Sequence, residues 1–562
     1  MWPQWLQSLN FTLDTLDDML PLKIATLALG LLPAISQARN VVDLGYAQYR
    51  GNLTFPNTVA YLGIPYAEPP LGQLRFRAPV VLDKARVARE SRGQVIDATE
   101  YPNFCVQGST GGGDAGGAGS EDCLNVNVYA PAGAKRGDKL PVLVYIHGGG
   151  YFFGNPANWP FDHWIQQSPN VVIVSVYYRL DAFGFLSHPA FASNSALGHL
   201  NAGFLDQRLA LEWVQENVAA FGGDPRAVTI NGESAGGSSV ELHMVAKGAP
   251  RNLFRGVIAQ SVYRTPLARP EQRVPQFDLF ASRAGCSAGS MTAKMACLRS
   301  ASVSALAMAQ DFVTGAQSTL PAPSYRRFQP VLDGVIFPAF PTHALTNGDF
   351  ADVSVIVGAT TNETLSGGTI VGALLSFFPS MDNTTAQSFL PEYPISDFSN
   401  SSALQFQAAT GEPELLCARH LIASAVAKRG SDCKAWTYRY NQPNPTQEGT
   451  AVQHAAENWM MFRGINTGTN GTGVFTPMTP TQSAFASELI AYWLSFVRAG
   501  NPNTFKLARA PVWESFSPSA KLNRIVLQQG SVDASGSFLE VQSEGETRRC
   551  EFSAGMVGVQ QN

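Results

Sequence analysis

Ser234 lies between glycines in Gly232-Glu233-Ser234-Ala235-Gly236, directly after the apolar run Val228-Thr229-Ile230-Asn231. A strand that turns sharply into a helix at such a pentapeptide lifts a serine hydroxyl into solvent, and the glycines let backbone pass where a Cβ would clash. A serine held this way can attack an acyl carbonyl, provided that a base removes its proton and donors await the oxyanion. Residues 142–146 run straight into His147-Gly148-Gly149-Gly150-Tyr151, a glycine loop whose bare backbone can curl around an oxyanion. Gly149, Gly150 and the Ala235 amide at the start of the following helix are therefore the candidate donors. A second match to the serine pattern, Gly285-Cys286-Ser287-Ala288-Gly289, follows the polar Ala281-Ser282-Arg283. It reads as a loop that leads into no amphipathic helix.

The elements that must carry these residues are visible as short, nearly continuous apolar runs at 140–146, 171–177, 228–230, 256–259 and 353–357. Strands buried on both faces look like this. Between the second and third runs, Leu205, Leu209, Trp213, Val214, Val218 and Phe221 recur at helical spacing, with Asp206, Arg208, Glu212 and Glu216 on other faces. Strand, helix, strand predicts a parallel sheet. A second helix is expected at 484–498, ending at Gly500-Asn501-Pro502, with Trp493 and Phe496 in the core.

The stretch 170–237 carries Tyr178-Arg179-Leu180, Phe183-Gly184-Phe185-Leu186-Ser187, Asp206-Gln207-Arg208-Leu209-Ala210-Leu211 and Phe221-Gly222-Gly223-Asp224-Pro225. Together with Glu121-Asp122-Cys123-Leu124-Asn125-Val126, these motifs closely resemble type B carboxylesterases, the group that includes cholinesterases and fungal lipases. The resemblance spans roughly 45–555, with looser motifs after about residue 300. It implies an α/β-hydrolase fold, a large mostly parallel sheet flanked by helices, and a Ser-Glu-His triad. Matched position by position, the acid is Glu363 in Thr361-Asn362-Glu363 and the base is His454 in Gln453-His454-Ala455. Ser261, in Ala259-Gln260-Ser261, matches a family serine that supports the acid; a satisfied buried hydroxyl is the alternative. No cofactor or metal is implied.

A formal charge of −4 without a Lys/Arg cluster leaves no electrostatic footprint for nucleic acid, and 45% hydrophobic residues exclude global disorder. Asp14, Asp17 and Asp18 are unlike the start of a signal peptide, so Met19 is the better initiator. From there a basic n-region, an apolar stretch at 24–32 and Ser36-Gln37-Ala38 predict secretion with cleavage after Ala38. The apolar stretch is about half the roughly 20 residues that span a bilayer, and no later segment is long enough, so stable membrane insertion is not expected. The domain reading is thus an extension with signal peptide at 1–38 and a single α/β-hydrolase domain at 39–562. Seven cysteines in a secreted chain imply disulfides and one thiol left over. Cys105 with Cys123 and Cys286 with Cys297 can close short loops. The family suggests Cys417 with Cys550, leaving Cys433, while Cys417 with Cys433 stays an open alternative. Sequons at Asn52, Asn383, Asn400 and Asn470 predict glycans; the one at Asn362 is expected to be unused, since a glycan there would crowd Glu363.

Two departures narrow the substrate. The family's lipases place a long amphipathic lid inside the first disulfide, whereas the run from Cys105 to Cys123 holds seven glycines and one bulky apolar residue, Val106. Cholinesterases hold a quaternary ammonium against a tryptophan in that loop, and this one contains no aromatic residue. The expectation is a secreted ester hydrolase acting on small or soluble carboxylic esters. Alternatives are a lipase without a conventional lid, an esterase or acyltransferase tailoring a secondary metabolite, and, remotely, a neuroligin-like binding protein. Oligomeric state is not encoded in these motifs.

Overall fold

The computed structural model describes residues 40–107, 119–248, 252–321, 323–430, 432–467, 473–517 and 522–562. The signal-peptide reading, the Asn470 sequon and most of the glycine run after Cys105 lie outside them.

Among the described residues the chain builds one thirteen-stranded sheet and a separate two-stranded hairpin. Seven neighbouring strands are parallel, in the order Val172–Val176, Leu140–Ile146, Gly223–Glu233, Gly256–Gln260, Ser354–Thr360, Ala435–Tyr440 and Asn523–Leu527. Antiparallel strands extend the sheet at both sides. The β-branched runs explain the burial, because alternate side chains enter different cores. Val142 and Val144 join Val228, Ile230, Val257 and Val355 in one apolar cluster, while Leu143 and Tyr145 join Ile173, Ile258, Ile356 and Trp436 in another. A strand covered on both faces must be apolar throughout, which is why these runs lack the alternation of a half-solvated strand. This is the α/β-hydrolase architecture, a large mixed sheet flanked by helices.

Several local expectations change. The third strand begins at Gly223, five residues before its apolar run, because Gly223 pairs with Leu140 across the sheet. Asp206, off the apolar stripe of its helix, Ala202–Asn217, is nevertheless fully buried; its carboxylate accepts from Arg179 Nε at 2.7 Å and Nη2 at 2.6 Å. The helix expected at 484–498 is Pro480–Ala499, started by a capping box in which Thr479 and Gln482 serve each other's backbone amides. The loop at Gly285–Gly289 does precede a helix, Met291–Ser300, but it follows another helix, Val274–Arg283, so no strand leads into it. Disulfides join Cys105 to Cys123, Cys286 to Cys297 and Cys417 to Cys550, with Cys433 outside all three.

Candidate active site

Four adjacent parallel strands end near one another, and each is followed by a polar residue of interest. Ser234 follows Gly223–Glu233, Ser261 follows Gly256–Gln260, Glu363 lies three residues past Ser354–Thr360, and His454 lies in the connection after Ala435–Tyr440. The carboxyl ends of parallel strands are where such sheets gather ligands and chemistry.

At the elbow Ser234 has φ +59° and ψ −121°, a conformation that costs energy unless its surroundings impose it. The surroundings are close indeed. A Cβ on Gly236 would fall 2.1 Å from the Ile146 carbonyl, and one on Gly232 2.4 Å from the Gly236 backbone. Either substitution would push apart the strand, the turn and the buried helix Ala235–Val245. That packing presents the hydroxyl to His454, whose Nε2 lies 2.8 Å from Ser234 Oγ. His454 Nδ1 lies 2.7 Å from Glu363 Oε2. The other Glu363 oxygen, Oε1, accepts from Ser261 Oγ at 2.5 Å and from the Thr360 amide at 2.9 Å. Ser261 is thus engaged with the acid.

The loops that carry Glu363 and His454 are tied together. The Asn362 amide donates to the Val452 carbonyl at 3.0 Å, and Asn362 Oδ1 accepts from the Val452 amide at 2.9 Å. Asn362 Nδ2 donates to Gln407, so this side chain is committed to positioning, a second reason to expect no glycan on it. A glycine is required at Gly411, since a Cβ there would lie 1.7 Å from the Glu363 carbonyl.

The glycine loop abuts Ser234. A Cβ on Gly148 would meet Ser234 Cβ at 3.0 Å, and Gly149 and Gly150 adopt φ +105° and +61°. Tyr178 Oη donates to the His147 carbonyl at 2.9 Å, propping the loop from below. Among the described residues the amides of Gly149, Gly150 and Ala235 have no protein acceptor, which leaves three donors beside the serine.

Sequence reasoning passed over a second layer of carboxyls. Glu233, one residue before the serine, is buried with Oε1 3.5 Å from His454 Nε2 and Oε2 accepting from Asn458 at 3.0 Å. Burial pushes its pKa up to about 7, against the pull of His454. Glu457, buried close by, is pushed up to about 8 by burial and then by Glu233 and Glu363. Their only sequence signal was their chain position beside the elbow and the base. Burial lowers the affinity of His454 for a proton, but Glu363 and then Glu233 outweigh it, so the imidazole titrates above its ordinary 6.5. Burial likewise opposes ionisation of Glu363, yet His454, Ser261 and the Thr360 amide together hold it below 4.5.

A pH dependence follows from these signs. Only the neutral imidazole can accept a proton, so kcat/KM should rise as pH climbs through a value above 6.5. Replacing the neighbouring acid, Glu233→Gln, removes a charge that favours imidazolium and should move this limb about one unit toward acid. An unmoved limb would show that Glu233 is already neutral wherever His454 titrates. The limb belongs to the coupled pair and not to either residue alone.

A family model described as the carboxylesterase family matches residues 38–553. Acetylcholinesterase of Bungarus fasciatus is 31% identical over 556 residues, covering 92% of this chain and 85% of that protein. Carboxylesterase 1E of Mus musculus is 32% identical, covering 81% and 84% respectively. The crystal structure of Aspergillus niger EstA superposes with a TM-score of 0.80 at 30% identity, covering 93% of this chain and 99% of that one.

Proposed function

The chain belongs to the carboxylesterase family and is a carboxylic ester hydrolase; on that premise we propose that it works through an acyl-enzyme on Ser234 and takes small or soluble esters. The observation that carries the reading is the continuous relay of short contacts from Ser234 Oγ through His454 to Glu363. In the first step His454 Nε2 takes the Ser234 proton as Oγ bonds to the ester carbon, and the carbonyl oxygen becomes an oxyanion facing Gly149, Gly150 and Ala235. Glu363 holds the ring so that Nδ1 keeps its proton, and it stabilises the imidazolium that forms. His454 then returns the proton to the departing alcohol. Water repeats the sequence on the acyl-enzyme and releases the acid.

The preference for small esters is supported by the glycine-rich run after Cys105, which offers no amphipathic segment to cover a lipid-facing mouth. The same run has no aromatic ring for a quaternary ammonium, which argues against choline esters despite the cholinesterase relatives. Secretion is supported by the three disulfides, which persist in oxidising compartments. No helix among the described residues is long and apolar enough to cross a membrane. Asn52, Asn383 and Asn400 are exposed and free to carry glycans in that compartment, on a single catalytic domain from residue 39 onward.

The test is a p-nitrophenyl ester series from acetate to palmitate. Turnover should be greatest on short chains and fall toward palmitate. A maximum at long chains that sharpens above the substrate's solubility limit would replace this reading with a lipase.

A further inference from the structure

Arg327 takes no part in the relay, but its side chain reaches Tyr263 and Phe152, which touch the elbow and the glycine loop. It lines a cavity of about 230 Å³ with Tyr263, Leu365, Ser366 and Phe377. Two contacts and one chain adjacency tie the walls of that cavity to the elbow and its neighbours. The Tyr263 amide donates to the Ser234 carbonyl at 3.2 Å. Leu365 and Ser366 come just after Glu363 in the chain. The guanidinium lies over the Phe152 ring, 5.3 Å from its centroid, and that ring packs against the glycine loop, a Cβ on Gly150 falling 2.6 Å from Phe152 Cε1.

The neighbouring Arg326 behaves as a structural arginine, spending its donors on the Leu320 and Gly315 carbonyls. Arg327 makes one long side-chain hydrogen bond instead, from Nη1 to Tyr263 Oη at 3.5 Å, and no carboxylate forms a salt bridge with it among the described residues. Two acids lie within its field. Glu414 accepts from the Leu365 amide at 2.8 Å and from the Ser366 hydroxyl, and burial pushes its pKa up to about 7. Asp181 is fully buried, which drives its carboxyl well above the usual range, with Asp311 adding to the effect. Burial disfavours the charged form of both, and among the described residues neither forms a salt bridge with Arg327. A cation with unspent donors therefore faces a cavity of small-molecule size, and a guanidinium fork matches a carboxylate in shape and charge.

We infer that Arg327 is a specificity residue that pairs with a carboxylate carried by the substrate, so that the preferred esters are small and anionic, such as half-esters of short dicarboxylic acids. The inference rests on the ester-hydrolase reading of Ser234. The substrate carboxylate stays ionised and bound at Arg327 while the ester carbonyl is attacked, so no bond beyond those of hydrolysis is made or broken. A cationic group would be repelled from the same cavity.

The test compares kcat/KM for the p-nitrophenyl half-esters of glutarate and adipate with the pentanoate and hexanoate, and with a trimethylammonium hexanoate ester, after subtracting spontaneous hydrolysis. The wild type should favour the anionic ester over its neutral match by about tenfold, as expected for a hydrogen bond between charged groups. Arg327→Gln should bring that ratio near one, and Arg327→Glu should reverse the order of the anionic and cationic esters, which a mere packing defect would not do. A wild-type ratio near one overturns the inference, whether or not the variants fold, as does a ratio unchanged in Arg327→Gln. Turnover of the neutral ester without an anionic preference defeats this inference alone, whereas no turnover of any ester defeats the ester-hydrolase reading with it.

Discussion

Ser234→Ala is expected to lower kcat by about 10⁶-fold, His454→Ala by a similar factor, and the double variant by no more than either single one. The reason is geometric. Oγ and Nε2 share one hydrogen bond of 2.8 Å, and an alkoxide without its base, or a base without its hydroxyl, performs none of the transfer. Residual turnover in all three variants should be alike, because the amides of Gly149, Gly150 and Ala235 remain to polarise the bound ester for attack by water. Steady-state rates on p-nitrophenyl acetate, with circular dichroism to establish folding, check this. Losses that multiplied in the double variant would mean that the two residues act independently, which the contact between them contradicts.

The second large effect is expected at the acid. Glu363→Gln should lower kcat by about 10⁴-fold, though it changes little in shape. The Thr360 amide donates to Oε1 and cannot accept, so a glutamine must keep its carbonyl oxygen on that side and turn its NH₂ toward His454 Nδ1. Nδ1 then becomes an acceptor, the ring proton moves to Nε2, and the nitrogen facing Ser234 can no longer act as a base. Loss of the buried charge compounds this, because nothing then stabilises the imidazolium formed during attack. The distinguishing readout is the pH profile: the surviving activity should climb steeply with pH as hydroxide substitutes for the missing base. A loss under tenfold with an unchanged profile would reassign Glu363 to a structural role.

Much of this arrangement was legible in the chain itself. The elbow and the glycine loop announce themselves because both need backbone where side chains cannot fit, and such needs leave glycines at fixed positions. The strands at 140–146 and 171–177 show as apolar runs because both faces of the sheet are covered. Glu363 and His454 came from the family resemblance, not from local pattern, for their loops show no periodicity and only the fold brings them within 2.7 Å. What stayed hidden was burial of charge. Asp206 lies off the apolar stripe of its helix yet pairs with Arg179 in the interior, and nothing in the string around Glu457 says that the short helix Ala456–Met461 points inward. Gly411 and Arg327 are silent in sequence for the same reason, since each acts on a segment far away in the chain. The start of the helix at Pro480 could have been read from Thr479 and Gln482, a capping box that propensity alone obscures with its proline.

Ser234 must carry a covalent intermediate. Treating the protein with a p-nitrophenyl organophosphate and mapping the adduct by peptide mass spectrometry tests it most directly. One phosphoryl group should appear on the peptide holding Gly232-Glu233-Ser234-Ala235-Gly236, in step with the loss of esterase activity, and none should appear on Ser234→Ala. Full inactivation with the label elsewhere, or labelling of Ser234 with activity intact, would contradict it.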